Sequence, residues 1–135
     1  MSAVQCDLIA LEALGNHLGR SWPGGSVIWL EGPLGAGKTT FARAIAVGRG
    51  IAGEATSPTY ALVHHYEGSR GAVYHLDCFR LRDPDEAADL DWETLAAADL
   101  LLIEWPERAG AWAPPATHRV RLDHAMGDLR MVEVA

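Results

Sequence analysis

Several features that would place this chain in a special structural class are missing from its sequence. It has only two cysteines, Cys6 and Cys78, which are too few for a disulfide framework, so reduced thiols are expected. No apolar run approaches the roughly 18 residues that a membrane-crossing helix needs, and no basic leader precedes the first apolar stretch. The 14 glycines follow no period, which excludes collagen and solenoid repeats. A soluble, cytoplasmic protein without a membrane partner is expected.

Positive charge is also scarce. The 135 residues include 11 lysines and arginines against 18 aspartates and glutamates, which gives a formal net charge of -7. Contacts with nucleic-acid phosphates need a local excess of positive charge, so this chain is a poor stand-alone nucleic-acid binder. If RNA is involved, a partner protein is expected to hold it. The length and the 49% hydrophobic content fit one domain, residues 1–135, with a single core.

The hydrophobic pattern predicts a small α/β fold. Helices are predicted at 7–20, with Asp7 as a candidate N-cap, at 38–50, and at 83–98. Buried strands are predicted at 26–32 and 99–105, hairpins at 59–79 and 118–135, and a loop at 106–118. This order favours a P-loop NTPase fold with parallel central strands, antiparallel edge hairpins and helices on both faces of the sheet.

The strongest local signal is the glycine-rich segment GPLGAGKT, residues 32–39. It fits G-x-x-x-x-G-K-[ST] at every fixed position, and it lies between a predicted strand and a predicted helix, which argues against an incidental turn. Its glycines let consecutive amides surround phosphate oxygens, and the following helix directs its positive end at the anion. Lys38 is expected to reach the β- and γ-phosphates of a nucleoside triphosphate and Thr39 to bind Mg²⁺. The predicted nucleotide-binding residues are Gly32, Leu34, Gly35, Ala36, Gly37, Lys38, Thr39 and Thr40.

Two carboxylates are candidates for the acidic group that such a site needs beside Mg²⁺. Glu104 ends the apolar run LLLIE, as in a Walker B strand, and Asp77 shares one face of a predicted strand with His75. Either can bind the metal directly or through water, and one can orient the attacking water. A solvated strand end and a hairpin-surface carboxylate are the respective alternatives. The predicted catalytic residues are Lys38, Asp77 and Glu104, and the predicted metal ligands are Thr39, Glu104 and Asp77.

Other residues have less specific predicted roles. Ser57 and Thr59 stand in a Ser-Pro-Thr turn between the first P-loop helix and the next strand, where a threonine can sense the γ-phosphate. A plain turn or capping role is the alternative. Trp105, next to Glu104, is a further candidate for such a switch. The start of the first helix, around Asp7 and Leu8, is the location suggested for contacts with the base.

Missing motifs narrow the class of nucleotide-binding protein. No N-K-x-D element for guanine recognition occurs, and only Arg108 stands where P-loop kinases carry a basic lid. A small-molecule kinase, with Asp77 as its base, remains an alternative, and so does a nucleotide-sensing module with negligible turnover. No zinc site is predicted, because adjacent His64 and His65 point to opposite strand faces and His75 has no partner at helical ligand spacing.

Four segments together carry a family resemblance. The segments GPLGAGKTTFARA, SPTYALVHHYEG, VYHLDCFRLRDPDE and LIEWPER, in this order, resemble the bacterial TsaE (YjeE) family of tRNA threonylcarbamoyladenosine biosynthesis. The resemblance covers about residues 7 to 108. It implies a P-loop fold, weak ATP hydrolysis with Mg²⁺, and a complex with the TsaD and TsaB proteins that modify adenosine 37 of tRNA. Transfer RNA would then be reached through the complex and not directly.

The resemblance also assigns roles to individual residues. It implies that Lys38 and Thr39 bind ATP and Mg²⁺, and that Asp77 and Glu104 are the functional acids. The chain departs from the usual family pattern in two of its motifs. Pro33 stands where aspartate is usual, and Phe79 stands where tyrosine is usual, so any role of those side chains is absent.

Overall fold

The computed structural model describes residues 3–51 and 63–135, which form a mixed α/β fold. The strands are β1 (Val4–Cys6), β2 (Ser26–Glu31), β3 (Val63–Gly68), β4 (Gly71–Asp77), β5 (Leu100–Glu104), β6 (His118–His124) and β7 (Arg130–Val134). The α-helices are α1 (Leu8–Ser21), α2 (Lys38–Gly48) and α3 (Trp92–Ala96). Two 3₁₀ helices span Pro84–Asp89 and Pro106–Trp112.

The strands form one seven-stranded sheet in the order β1-β7-β6-β2-β5-β4-β3. The central strands β6, β2, β5 and β4 are parallel. The hairpins β3–β4 and β6–β7 are antiparallel, as is the pairing of β1 with β7. The prediction of parallel central strands with antiparallel edges is confirmed. Strand β1 was not predicted, because three residues are too short to show a pattern.

Two apolar layers cover the two faces of this sheet. On one face α1 and α2 pack on side chains such as Ile28, Leu102 and Val120. On the other face Leu101 and Ile103 of β5 pack among residues of the short helices. Alternate residues of β5 therefore face opposite layers, as the period of a strand requires, and helices on both faces of the sheet are confirmed.

Helices α1 and α2 approach each other at backbone distance. An added Cβ would lie 2.1 Å from the Ile45 carbonyl oxygen at Gly19, and 2.0 Å from the Asn16 carbonyl oxygen at Gly48. Only glycine fits at these two positions. The predicted N-cap of α1 is confirmed, since Asp7 accepts a hydrogen bond from the Ala10 amide at 2.8 Å.

Two predicted segments differ from the structure. Residues 83–98, predicted as one helix, form two short helices, because Leu90 between them is extended at φ -74° and ψ 147°. Asp83 caps the first and Asp91 caps the second. Residues 106–118, predicted as loop, contain a 3₁₀ helix that begins at Pro106, where the missing amide proton costs no helical hydrogen bond. No helix within 3–51 or 63–135 is long and apolar enough to cross a bilayer.

Candidate functional site

The glycine-rich loop lies at the carboxyl edge of the parallel strands. Residues 32–37 connect the end of β2 to the start of α2, and β2 lies between β5 and β6. In open α/β sheets this edge is where ligands bind. A cavity of about 300 Å³ opens here, lined by Leu34, Gly35, Gly37, Lys38, Thr39, Thr40, Asp77, Phe79, Glu104 and Trp105. Nine of these ten cavity residues were singled out from the sequence, and the tenth is Phe79.

Two glycines of the loop adopt backbone conformations that let the chain turn around the cavity. Gly35 and Gly37 have φ angles of 77° and 100°, in the left-handed region that other residues rarely adopt. Gly37 is the N-cap of α2 and has no side chain to satisfy the first amides of the helix. Those amides have no partner within the helix, so they are available to a ligand in the cavity.

The β6–β7 hairpin holds the loop from its outer side. A Cβ at Gly32 would lie 2.0 Å from the Leu122 carbonyl oxygen of β6, so the chain passes in contact with that strand. His124 Nε2 lies 3.2 Å from the Leu34 carbonyl oxygen, and Arg130 Nη2 donates to the Gly35 carbonyl at 3.4 Å. His124 and Arg130 were not predicted from the sequence. No local pattern marks them, because they follow the loop by about 90 residues.

Lys38 is a buried cation at the start of α2. The residue is 4% exposed, and its Nζ donates to the carbonyl oxygens of Gly32 at 2.6 Å and Pro33 at 2.8 Å. The Trp105 ring covers it, with Nζ 4.4 Å from the ring centroid. Burial lowers the pKa of Lys38, and this effect outweighs the opposing attraction of Glu104 and Asp77. Among the described residues its hydrogen-bond acceptors are carbonyls, so its charge is not neutralised by an ion pair.

Glu104 lies at the end of β5 and faces α2. Its side chain is buried, with the Thr39 hydroxyl at 3.0 Å from Oε2 and 3.2 Å from Oε1. His75 Nε2 lies 2.5 Å from Oε2 on the other side. Burial raises the pKa of Glu104, but the hydrogen bonds from His75 and Thr39 and the charges of His75 and Lys38 together hold it below its ordinary value. Glu104 is therefore an ionised, enclosed carboxylate, and the alternative of a solvated strand end is wrong.

Asp77 lies beside Glu104 in the neighbouring strand. The two residues are paired in register at the ends of β4 and β5, and Asp77 lines the same cavity. Its Oδ1 accepts a hydrogen bond from the Phe79 amide at 3.0 Å, so the backbone two residues further on orients the Asp77 carboxylate. The structure thus brings both predicted acids to the cavity, and only Glu104 makes a hydrogen bond with Thr39.

The oxygen donors at this point fit Mg²⁺. Thr39 supplies a hydroxyl, and Glu104 and Asp77 supply carboxylates, which are the hard ligands that this ion binds. The contact between Thr39 and Glu104 shows that a side chain of the helix and one of the strand already converge. Thr39, Glu104 and Asp77 are the residues that would hold such an ion.

An aromatic wall closes one side of the cavity. Trp105 has φ 55° and ψ 50°, a left-handed conformation that is uncommon for a residue with a large side chain. Its ring lies 5.2 Å from that of Phe79, and the Arg108 guanidinium lies over both rings. Arg108 also donates to the Phe79 carbonyl at 2.7 Å. Unusual backbone geometry of this kind is concentrated at functional sites.

A smaller recess adjoins the loop cavity. It measures about 110 Å³ and shares Gly37 and Thr40 with that cavity. Its other lining residues are Asp7, Leu8, Leu11, Asp128 and Arg130. The start of α1, predicted as a location for contacts with the base, therefore lies next to the loop.

Some predicted site residues are not in the cavity. Ser57 and Thr59 lie outside the described residues. Ala36 is fully buried, and its amide donates to the Pro33 carbonyl at 3.2 Å, while Gly32 contributes the carbonyl that Lys38 contacts. The link between His75 and Glu104 was missed, although the placement of His75 and Asp77 on one strand face was a usable signal.

The comparisons with known proteins agree on one family. Residues 7–132 match the family described as threonylcarbamoyl adenosine biosynthesis protein TsaE. The chain is 35% identical over 121 residues to the tRNA threonylcarbamoyladenosine biosynthesis protein TsaE of Streptomyces coelicolor, covering 87% of this chain and 82% of that one. It is 37% identical over 122 residues to the protein of the same name from Treponema pallidum, covering 90% of each chain.

A solved structure shares the fold. The crystal structure of Bacillus subtilis YdiB superposes with a TM-score of 0.76 at 24% identity, covering 97% of this chain and 83% of that one. At this identity the likeness supports the fold alone. The family match and the relatives decide the assignment, and the chain belongs to the TsaE family of threonylcarbamoyl adenosine biosynthesis proteins.

Proposed function

We propose that this protein binds and slowly hydrolyses ATP with Mg²⁺, and that it drives or resets the complex of TsaD and TsaB that modifies adenosine 37 of tRNA. The observation that carries the proposal is the environment of Lys38. A buried ammonium stands at the first residue of α2, beside Thr39 and Glu104, on the wall of an open cavity.

The position of Lys38 is unfavourable without a ligand. The N-terminus of a helix carries about half a positive charge, so a cation placed there is repelled. Burial adds a desolvation cost, which the lowered pKa of Lys38 reflects. A polyphosphate in the cavity would offset both costs, because it would accept hydrogen bonds from Lys38 and from the free amides of α2. The site is therefore suited to an anion that residues 3–51 and 63–135 do not supply.

The recess beside the loop suits the rest of the nucleotide. Leu8 and Leu11 offer apolar surface to a base, while Asp7 and Asp128 offer acceptors and Arg130 a donor. Gly37 and Thr40 belong to both spaces, so a molecule with its phosphates on the loop would extend directly into the recess. We place the adenine and ribose there.

The residues around the phosphates divide the chemistry among them. Lys38 would hold the β- and γ-phosphates and disperse the charge that develops during transfer. Thr39 and Glu104 would hold Mg²⁺, which neutralises phosphate charge when it is bound. Asp77 lines the cavity and is in a position to orient the attacking water, directly or through a second water molecule. The Trp105 and Phe79 rings would limit the access of bulk water from one side.

The partner assignment rests on the family and on charge. The relatives are named as tRNA threonylcarbamoyladenosine biosynthesis proteins, and the TsaE resemblance implies TsaD and TsaB as the proteins that carry out the modification. A chain with a formal net charge of -7 is poorly suited to grip tRNA alone. ATP turnover would then be an on–off signal to the complex, and tRNA would be held by the partners.

The proposal is tested by phosphate release from ATP with the purified protein, alone and with TsaD and TsaB. We expect slow release alone and faster release with both partners. Glu104→Ala should lower the rate of release by about 100-fold or more, by analogy with loss of a charge-stabilising group, while ATP binding is affected much less. Normal hydrolysis by Glu104→Ala would transfer the carboxylate role to Asp77. Transfer of phosphate to a small hydroxylated acceptor instead of water would favour a kinase.

A further inference from the structure

His75 is a buried histidine that the proposed reaction does not yet use. Its side chain lies on β4 with 3% of the residue exposed, behind Glu104 as seen from the cavity, and it does not line the cavity itself. Its Nε2 contacts Glu104 Oε2 at 2.5 Å. Both side chains are almost fully enclosed, at 4% exposure each, so water does not compete for this contact.

The sheet register explains why these two side chains meet. His75 pairs with Leu102, two residues before Glu104, and Asp77 pairs with Glu104 itself. His75 therefore reaches diagonally across the two parallel strands, on the face that α2 covers. Asp77 lies closer in register, but its carboxylate has no proton to donate to another carboxylate, so His75 is the residue of β4 that binds Glu104.

Glu104 is consequently held from two directions. His75 contacts Oε2 from β4, and the Thr39 hydroxyl contacts both carboxylate oxygens from α2. A buried carboxylate with one partner can rotate about its terminal torsion, which has a broad energy profile. The second partner fixes the plane of the carboxylate and therefore the direction in which its free lone pairs point. In metal sites, such partners of the ligands contribute to metal affinity.

We propose that His75 is a positioning residue, which orients the Glu104 carboxylate toward Thr39 so that the pair can bind the metal of the nucleotide. This inference rests on the proposed function, because it concerns the metal that accompanies ATP. The essential feature of His75 is a hydrogen-bond donor at the place of its Nε2. The amide of glutamine can occupy that place, whereas the shorter asparagine places its amide nearer Nδ1 and leaves Glu104 without this donor.

The test measures metal binding without turnover. Mn²⁺ is titrated into the protein with a non-hydrolysable ATP analogue, and free Mn²⁺ is followed by electron paramagnetic resonance. We expect His75→Leu and His75→Asn to weaken Mn²⁺ binding by about 10- to 100-fold, and His75→Gln to restore most of the affinity. The affinity for the analogue in EDTA should be unchanged in all three variants. If His75→Leu does not fold by circular dichroism, His75→Asn carries the test.

The neighbouring strand offers a matched control. His64 pairs with His75 across β3 and β4, with the ring centroids 5.7 Å apart, and among the described residues it makes no hydrogen bond to Glu104. His64→Gln should bind Mn²⁺ like the wild type. Wild-type Mn²⁺ affinity in both His75→Leu and His75→Asn would overturn the positioning role. A wild-type protein that binds neither the analogue nor Mn²⁺ would instead overturn the proposed function, and this inference with it.

Discussion

The two ends of helix α2 each carry a buried basic residue, and the two residues differ in whether a carboxylate pairs with their charge. Helix α2 and strand β5 run side by side in opposite directions, so each end of the helix meets one end of the strand. At one end Thr39 contacts Glu104, which closes β5, and Lys38 is beside them. At the other end Arg49, which caps α2, pairs with Asp99, the residue before β5.

The Arg49 end is a closed network. Its Nε and Nη2 donate to the two carboxylate oxygens of Asp99 at 2.7 and 2.8 Å. Its Nη1 donates to the carbonyls of Gly19, at 2.9 Å, and Trp22. The Arg49 side chain is fully buried, and its charge lies at the helix end that favours cations. These hydrogen bonds join the end of α1, the end of α2 and the start of β5.

The Lys38 end is open by contrast. Among the described residues its ammonium donates hydrogen bonds only to loop carbonyls, and the Trp105 ring covers it. It lines a cavity and lies at the helix end that repels cations. Two buried basic residues on one helix thus differ in whether their charge is neutralised inside the protein. We infer from this difference that the unneutralised charge of Lys38 beside a cavity indicates a ligand, whereas the neutralised charge of Arg49 indicates a structural role.

The largest expected effect comes from breaking the closed end. Arg49→Met should lower the free energy of unfolding by about 3–5 kcal/mol, because it leaves Asp99 buried without its partner. Arg43→Met, on the exposed side of the same helix, should change it by less than about 0.5 kcal/mol. Urea denaturation measures both. The folded fraction of Arg49→Met should still bind ATP, and a loss of ATP affinity as large as that of Lys38→Ala would show that the two ends do not have separate roles.

The next largest effect is expected at Lys38, where a substitution should change ATP affinity far more than stability. Lys38→Ala should weaken ATP binding by about 100-fold, or roughly 2.7 kcal/mol, through the loss of a charged donor to the phosphates. Its free energy of unfolding should change by only about 1 kcal/mol, because the hydrogen bonds of Lys38 to the loop carbonyls are lost while a cation is removed from the helix end that repels it. Calorimetric titration with ATP and urea denaturation measure the two quantities, with Arg43→Ala as the control. Unchanged ATP affinity in Lys38→Ala would contradict the proposed site.

The smallest effect concerns acid stability at the closed end. The hydrogen bonds from Arg49 lower the pKa of Asp99 below its ordinary value of 3.8, against the opposing effect of burial. This stabilisation is therefore present above pH 3.8 and is lost as the pH falls through the lower pKa of the folded state. Wild-type protein should lose more free energy of unfolding between pH 5 and pH 3 than Arg49→Met. Equal losses would mean that Asp99 does not titrate as the structure implies.

The contrast between local and distant contacts also explains what the sequence could predict. Lys38 and Thr39 belong to one contiguous motif, and Glu104 ends a recognisable apolar strand, so spacing alone predicts their place in the site. The parallel centre of the sheet follows from the alternation of strands and helices in the same way. In each case a few adjacent residues contain the whole signal.

The contacts that were missed join parts of the chain far apart in sequence. Arg130 reaches Gly35 only because β7 folds back beside the loop, and His75 reaches Glu104 only because β4 and β5 are neighbours in a particular register. The sequence contains a weak signal for the helix break at Leu90, since Asp91 can cap a new helix. A capping residue alone does not show where the previous helix ends. Register and strand order are needed for all such contacts.

A crystal structure of the protein with a non-hydrolysable ATP analogue and Mg²⁺ would show whether the loop cavity is the nucleotide site. We expect the phosphates to be bound by Lys38 and by the amides of residues 35–39, with the metal on Thr39 and Glu104. An analogue bound elsewhere, with this cavity empty at saturating concentration, would contradict this expectation.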